Sequence, residues 1–142
     1  MEQKPYKKTN QPKLFIMIEW YKKVVLENYA NFNGRARRAE YWWFALGNFI
    51  LAVIAIIIDS VIGIALMGPY GPFYSILLLA TIIPSIAVAV RRMHDVGKSG
   101  WYILIPIYNL ILAFTEGDRG QNEYGPDPKN EYNEMDKLGT DY

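Results

Sequence analysis

The chain has 142 residues, enough for a single domain, and 51% of them are hydrophobic. It has no cysteine, which excludes a disulfide framework, a thiolate metal site and a cysteine nucleophile. Its one histidine, His94, excludes a metal site built from several histidines. We therefore expect neither a metal nor another cofactor.

Charge is distributed unevenly along the chain, although the net charge is only +1. Before Tyr41 there are nine Lys and Arg against four Asp and Glu, and after Phe114 there are three against eight. Between these two ends the charged residues are only Asp59 and a cluster at 91–98. A long apolar middle between polar ends is typical of a membrane protein, and the asymmetry bears on which side each end prefers.

Residues 1–13 are rich in Lys, Gln, Pro and Asn, which predicts a disordered basic tail. A cleavable signal peptide is not expected, because the apolar run LFIMI is short and Glu19 interrupts it. Residues 14–30 place apolar side chains at helical spacing, with Lys22, Lys23 and Glu27 on the other side. This pattern predicts an amphipathic helix in the membrane interface; the alternative is a helix packed on a soluble partner.

The segment NFNGRARRAEYWWF (31–44) ends the first helix at Asn33-Gly34. Its arginines precede an aromatic cluster, an order that marks the border between headgroups and hydrocarbon. The following run predicts a span over about residues 41–60, long enough for ~30 Å of hydrocarbon. Asp59 lies about one bilayer thickness from Arg38 at ~1.5 Å per residue, which predicts a solvated helix end rather than an intramembrane functional acid.

After a glycine-punctuated turn, Pro72 is suited to open a second span over residues 72–90. Pro84 lies inside that span and should kink it, with Thr81 available to occupy the freed backbone groups. The third apolar segment, 101–115, is short and is interrupted by Pro106 and Asn109. It could span with local thinning of the bilayer, or it could be a re-entrant or interfacial segment, so the side of the C-terminus stays open.

Residues 116–129 are acidic and contain the turn-forming residues Gly120, Asn122, Gly125, Pro126 and Pro128, and residues 130–142 predict a disordered acidic tail. The whole pattern predicts an all-α membrane protein with a membrane domain at 14–129. It consists of an amphipathic N-terminal interfacial helix followed by about three hydrophobic helices, the third of them short. The distribution of Lys and Arg predicts that the N-terminus and RRMHDVGKSG lie in the cytoplasm and that MGPYG lies outside.

Three stretches together carry a family resemblance: GRARRAEYWWF, then RRMHDVGKSGW after two apolar segments, then GQNEYGPDP. In this order they resemble the bacterial domain of unknown function 805 family, over roughly residues 20–129. The resemblance implies a small multi-pass protein of the bacterial inner membrane, and it points to no particular biochemical activity. The third apolar segment is several residues shorter than the family pattern implies.

The candidate site combines the polar residues that should meet at the cytoplasmic interface, where arginines can bind phosphate and basic clusters attract anionic headgroups. They are Arg35, Arg37, Arg38, Glu40, Arg91, Arg92, His94, Asp95 and Lys98. A second set consists of motif positions without an assigned role: Gly34, Trp42, Gly97, Gly100, Trp101, Asn122, Tyr124, Gly125, Asp127 and Pro128. We expect Asp95 to pair with an arginine of GRARR or to cap a turn, not to form an acid/base pair with His94.

These observations favour a structural or regulatory membrane component whose Arg-rich face binds anionic lipid or a partner protein. One alternative is a small transporter or channel subunit, which would need a homo-oligomer because so few spans cannot enclose a pathway. A second alternative is a lipid-headgroup enzyme using His94, but no nucleophile, phosphate-binding or metal motif is present, so an enzyme is not favoured. Nucleic acid is not expected as a partner, because the basic patch is small and tied to spans. The alternative that the arginines only set the orientation of the chain in the membrane, and bind nothing, stays open.

Overall fold

The computed structural model describes residues 12–64 and 70–129. They form four α-helices, α1 (Lys13–Lys22), α2 (Arg38–Ile62), α3 (Pro72–Asp95) and α4 (Pro106–Phe114). A π-helical turn (Lys23–Glu27) follows α1, and a 3₁₀ helix (Gly100–Leu104) precedes α4. The described part of the chain has no β-strand, which confirms the all-α prediction. The two predicted tails lie outside the described residues, except for Pro12 and Lys13.

The helices α2 and α3 are long and apolar enough to cross a membrane. They have 25 and 24 residues, and so each reaches at least about 36 Å, against ~30 Å of hydrocarbon. Only 17% and 22% of their most apolar stretches are buried, and Phe49, Val61 and Leu79 are 66–82% exposed. Because apolar surface of this extent is stable in hydrocarbon and not in water, the two helices form a membrane-spanning hairpin.

The helix α3 continues five residues beyond the predicted end of the second span. Arg91 to Asp95 form its last turn, so the first half of RRMHDVGKSG is helical and is not part of a loop. Arg91, Arg92, Met93 and Asp95 are all buried there. The helix extends because the polar side chains of its last turn form buried ion pairs with residues elsewhere in the chain. The apolar pattern of the sequence alone does not indicate these contacts.

At the other end of the hairpin, Asp59 of α2 caps α3. Its carboxylate accepts hydrogen bonds from the backbone N–H groups of Phe73 (3.0 Å) and Tyr74 (2.9 Å). Gly71, the residue before α3, has no side chain to do this, and a Cβ there would lie 2.4 Å from the Asp59 Cγ. The prediction of a solvated helix end was therefore wrong: Asp59 is 3% exposed, because the first N–H groups of α3 need acceptors.

Pro84 leaves the carbonyl of Ala80 without its helical donor, since proline has no N–H. The Tyr29 hydroxyl, from the segment between the π-helical turn and α2, donates to that carbonyl at 2.7 Å. The predicted role of Thr81 was wrong, because its hydroxyl donates to the Leu77 carbonyl instead. A residue distant in sequence thus satisfies the polar group that Pro84 frees.

The N-terminal helix α1 packs along the N-terminal half of α2. The Tyr21 ring stacks on Phe44 with centroids 5.1 Å apart, and a Cβ on Gly47 would lie 2.9 Å from the same ring. Val24, in the π-helical turn, is fully buried against Phe44 and Val88. The helix predicted over residues 14–30 ends three residues earlier in the structure, at Glu27.

The third apolar segment is too short to cross the membrane as it is folded. Its α-helix, α4, has nine residues, about 14 Å at ~1.5 Å per residue. Both ends of the segment return to the same end of the hairpin: Gly100 packs against Val90 of α3, and the Phe114 carbonyl accepts a hydrogen bond from Arg38 of α2 (3.2 Å). The segment therefore does not cross from one end of the hairpin to the other but leaves and returns at the same end, a path that we call its re-entrant course.

Candidate functional site

The three polar motifs of the sequence meet at one end of the hairpin, in an assembly that we name the polar cap. It consists of residues 31–40, 91–100 and 115–129. Backbone hydrogen bonds join its parts: the Ala36 N–H donates to the Arg91 carbonyl (2.9 Å), and the Asp118 N–H donates to the Asp95 carbonyl (2.7 Å). The re-entrant course of 101–115 makes this meeting possible, because it returns the chain to the end from which it left.

Arg35 connects all three parts of the polar cap. Its Nε donates to the Asp95 carboxylate at 2.9 Å, with both side chains buried. Its Nη1 donates to the Gly120 carbonyl at 2.6 Å, and its Nη2 donates to the Asp118 carbonyl. The predicted pairing of Asp95 with an arginine of GRARR is confirmed.

Arg92 is the second arginine on Asp95, and it is fully buried. Its Nη1 donates to the Asp95 carboxylate and, at 3.1 Å, to the Ala36 carbonyl, and its Nη2 donates to the Thr115 carbonyl. One carboxylate between two guanidinium groups, with carbonyls on the remaining N–H groups, gives each buried charge a partner. Asp95 is thus engaged by arginines and does not pair with His94.

Glu40 and Arg91 form a separate buried ion pair at 2.5 Å. The Arg91 Nε also donates to the Asn31 carbonyl at 3.0 Å, and Lys23 lies 3.6 Å from the other carboxylate oxygen. Glu40 is 1% exposed and Arg91 is 3% exposed. This pair joins the start of α2 to the end of α3.

His94 is half-buried and is held by two contacts. Its Nδ1 lies 3.0 Å from the Gly34 carbonyl, and its ring stacks on Tyr124 with centroids 4.0 Å apart and planes at 2°. Since a carbonyl only accepts, Nδ1 carries the proton in this contact. Asn122 donates to the His94 carbonyl at 2.9 Å. His94 thus contacts the NEYGPDP motif through both its ring and its carbonyl. The His94 Nε2 makes no hydrogen bond with a described residue.

The NEYGPDP segment folds as a tight turn around Asp127, as the turn-forming residues predict. The Asp127 carboxylate accepts hydrogen bonds from the N–H groups of Gly120 (3.0 Å) and Lys129 (2.9 Å). Burial alone raises the pKa of this carboxyl, but the N–H groups of Lys129 and Gly120, with the Arg35 charge, hold the pKa below its usual value. Asn122 and Gly125 pair through their backbones, and half-buried Pro128 follows Asp127.

Two other motif positions support the geometry of the cap. Gly97 has a φ of 72°, and a Cβ there would lie 2.5 Å from an Asp118 carboxylate oxygen, so the turn after α3 requires glycine. Trp42 donates from its indole N–H to the Ala113 carbonyl (3.1 Å) and stacks on Phe114. Trp42 therefore fixes the end of α4 against α2.

A groove of about 430 Å³ lies beside the cap, between α3 and the 3₁₀ helix. Its walls are mostly apolar, with His94 and Ser99 as its polar members, and the apolar lining residues are Phe32, Ile86, Val90, Trp101 and Ile103, with Gly100. Ile86, Val90 and His94 follow one another at four-residue spacing, which places them on one face of α3. Trp101 is 78% exposed at the rim.

The remaining predicted cations of the cap are less deeply buried than Arg35, Arg91 and Arg92. Arg38 is exposed, and Lys98 is half-buried with its ammonium 5.9 Å from the centroid of the Tyr102 ring. Arg37 lies with its guanidinium carbon 5.6 Å from the Trp20 ring. Within residues 12–64 and 70–129, no group of three His, Cys, Asp or Glu side chains is placed to bind a metal ion.

Reasoning from the sequence missed two polar residues that the structure makes prominent. Tyr29 satisfies the carbonyl freed by Pro84, and no local pattern indicates that contact. Asn48 lies in the middle of α2, where its amide contacts Tyr21. A single asparagine in an otherwise apolar run was a readable signal for Asn48.

Comparison with known proteins matches residues 29–126 to the model of the family described as "Protein of unknown function (DUF805)". The Escherichia coli K12 protein named inner membrane protein YhaI is 44% identical over 120 residues, covering 79% of this chain and 97% of the relative. Inner membrane protein YhaH of the same strain is 40% identical over 119 residues, covering 79% of this chain and 98% of the relative. No solved structure matches the chain.

The matched range includes GRARRAEYWWF, RRMHDVGKSGW and most of GQNEYGPDP, whose last two residues, Asp127 and Pro128, lie beyond it. The predicted resemblance is confirmed, and with it the interpretation as a multi-pass membrane protein. The chain is a member of the DUF805 family.

Proposed function

We propose that this protein is a non-catalytic component of the bacterial inner membrane that binds an anionic phospholipid at its cytoplasmic end. The groove beside His94 is the observation that carries the proposal. The polar cap holds the groove in place, and the groove opens beside the apolar flank of α3.

The location and orientation in this proposal have two supports. The relatives YhaI and YhaH are named as inner membrane proteins. Nine Lys and Arg precede Tyr41, and an excess of such residues near the ends of spans favours the cytoplasmic side. The cap, which contains the basic end of α2, is then cytoplasmic.

The buried charges of the cap have an architectural role in this proposal. Arg35, Arg91, Arg92, Glu40 and Asp95 are at most 8% exposed and are engaged with one another or with carbonyls. A lipid phosphate would have to open the cap to reach them, and breaking a buried pair is strongly destabilising. We therefore assign headgroup binding to Lys98 and His94, with exposed Arg38 as a second basic position.

The groove matches a phospholipid in polarity and position. Ile86 and Val90 form its apolar part on a helix that lies in hydrocarbon, and His94 lies one turn further toward the cap. The Nε2 of His94, when protonated, and the Ser99 hydroxyl can donate to a phosphate, and Lys98 adds a positive charge. Ligand sites typically combine such apolar walls with a few polar groups in a volume of about 300–1,000 Å³.

The experiment compares retention of phosphatidylglycerol and phosphatidylcholine with matched acyl chains, measured by native mass spectrometry of the full chain in mild detergent. The Lys98→Gln variant removes the charge, and Ile86→Trp fills the groove. Each basic residue near the headgroups contributes ~1 kcal/mol, so Lys98→Gln should weaken phosphatidylglycerol binding about fivefold.

The matched control is Lys22→Gln, because Lys22 is an exposed lysine on α1 whose ammonium lies 3.4 Å from Glu19. It should retain phosphatidylglycerol as the wild type does. Equal retention of the two lipids by the wild type, or full retention by both groove variants, would contradict the proposal.

A further inference from the structure

A polar notch interrupts the apolar surface between α2 and α3, at mid-depth in the membrane. Asn48 is ten residues after Arg38, and so it lies about 15 Å from the start of α2 at ~1.5 Å per residue. It faces a cavity of about 290 Å³ whose polar members are Tyr41, Asn48 and Ser85 and whose apolar walls are Phe44, Ala45, Phe49 and Val88. This notch is separate from the groove beside His94.

The polar groups of the notch are only partly satisfied within the chain. The Tyr21 hydroxyl donates to the Asn48 Oδ1 at 3.3 Å, but the Asn48 amide N–H₂ donates to no residue that the structure describes. The Ser85 hydroxyl likewise makes no hydrogen bond with the described residues. The other small hydroxyls of α2 and α3 differ, since Ser60, Ser75 and Thr81 each donate to the carbonyl four residues earlier.

Hydrocarbon offers no partner for an amide N–H₂ group, and each unsatisfied polar group in the bilayer core is costly. Asparagine and serine side chains in spans are commonly satisfied by hydrogen bonds to another helix, and small residues allow that helix to approach. Ala45 is such a small residue in the wall of the notch. Phe49, also in the wall, is 66% exposed and is available for packing.

We propose that the notch is the interface of a symmetric dimer, in which Asn48 of one copy hydrogen-bonds Asn48 of the second copy. An amide is self-complementary: its N–H₂ donates, and its oxygen can accept a second hydrogen bond beside the one from Tyr21. A two-fold axis brings the same surface of both copies together, so one asparagine supplies donor and acceptor to the interface. This inference is independent of lipid binding at the groove.

The test uses the absence of cysteine from the natural chain. Ala45→Cys places a single thiol in the notch, and Leu46→Cys places one at similar depth about 100° further around α2, on a side chain that is 44% exposed. In liposomes at low protein density, an oxidant should crosslink Ala45→Cys and leave Leu46→Cys mostly monomeric. Equal crosslinking of both variants would overturn the interface.

A second measurement counts subunits by single-molecule photobleaching of the full chain in liposomes. Asn48→Leu removes both reciprocal hydrogen bonds of the pair and should lower the dimerisation constant by at least about threefold to twentyfold, the range for one interhelical hydrogen bond in a membrane. Tyr21→Phe is the matched control, because it removes the intrachain hydrogen bond and leaves the amide, and it should still dimerise. If Asn48→Leu fails to fold, Ser85→Ala takes its place. A wild type that bleaches in single steps would overturn the proposal.

Discussion

Arg92 shows why an arginine in this protein need not be a ligand-binding residue. Its guanidinium is fully buried, and its N–H groups reach Asp95, Ala36 and Thr115. A planar group with five donors can hold several acceptors at fixed angles, which a lysine ammonium cannot. The residue thus joins α3, the GRARR segment and the chain after α4 in a single contact set.

We expect Arg92→Ala to lower the free energy of unfolding by about 3–5 kcal/mol, because it leaves Asp95 and two carbonyls with fewer buried partners. Arg92→Lys should recover only part of that loss, since the ammonium cannot reach all three acceptors. Thermal unfolding in mild detergent measures both variants. Arg119→Ala, an exposed arginine of the same cap, should stay within about 0.5 kcal/mol of the wild type. An unchanged unfolding temperature for Arg92→Ala would show that the cluster is not structural.

Asp127 gives the cap a pH dependence of known sign. Its carboxylate accepts two backbone N–H groups, and its pKa in the folded chain lies below the usual value. A lowered folded-state pKa means that the stabilisation is present above the unfolded-state pKa of about 3.9 and is lost as pH falls through the folded-state pKa.

Asp127→Asn should therefore unfold at a lower temperature than the wild type at neutral pH, with a loss of about 1 kcal/mol. The difference in unfolding temperature between the two proteins should narrow as the pH falls below the unfolded-state pKa of about 3.9 and through the lower folded-state pKa, where the wild-type carboxylate becomes protonated in the folded chain as well. Unfolding temperatures across the pH range measure this. Glu123→Gln, an exposed neighbour, is the control. A gap that stays constant to pH 3 would contradict the assignment.

Among the elements, α3 is the one that depends most on contacts from outside itself. Asp59 of α2 caps its first turn, the Tyr29 hydroxyl satisfies the Ala80 carbonyl beside Pro84, and buried partners hold its last turn. A transmembrane helix tolerates proline where a neighbouring group satisfies the freed carbonyl. The Tyr29 contact also attaches the connection between α1 and α2 to the hairpin.

A double-mutant cycle tests the link between Tyr29 and Pro84. Tyr29→Phe should cost about 1 kcal/mol in the wild type, because it leaves the Ala80 carbonyl without a donor. In a Pro84→Ala background residue 84 regains its N–H, which can donate to that carbonyl, so the same change should cost little. Unfolding of the four proteins in detergent measures the coupling. Equal costs in both backgrounds would mean that the hydroxyl does not compensate for the proline.

For the whole molecule, the decisive feature is the re-entrant return of the chain after α3. It brings the turn around Asp127 to the same end of the hairpin as GRARR and RRMHD, and Arg35 then holds it through the Gly120 carbonyl. A third crossing would place that turn about 30 Å away, on the other side of the bilayer. The polar cap and the groove beside it therefore both depend on an even number of crossings.

A topology assay measures this directly. A side-specific reporter fused after Lys129 should lie on the same side as a reporter at the N-terminus, which we expect to be the cytoplasm. A reporter inserted in segment 65–69, between the two spans, is the control and should lie on the opposite side. A reporter after Lys129 on the outer side would contradict the re-entrant course and the cap built upon it.

Much of this protein follows from local pattern. The long apolar runs predict two spans because hydrocarbon requires about 20 consecutive apolar residues, and Pro72 and the glycine-rich turns limit those spans. The pairing of Asp95 with GRARR could also be anticipated, since a carboxylate among arginines at one interface needs a cationic partner. The family resemblance rests on the same motifs and needs no coordinates.

The tertiary structure decided the course of 101–115, the role of Asp59, the partner of Ala80 and the burial of Arg35, Arg91 and Arg92. Each depends on a contact between residues 14 to 85 positions apart. Local hydropathy reports how a side chain partitions between water and lipid, but not which distant donor or acceptor receives it. An arginine at a membrane border has the same sequence signature whether it binds a headgroup or a buried carboxylate, and here the folded chain supplies the carboxylate.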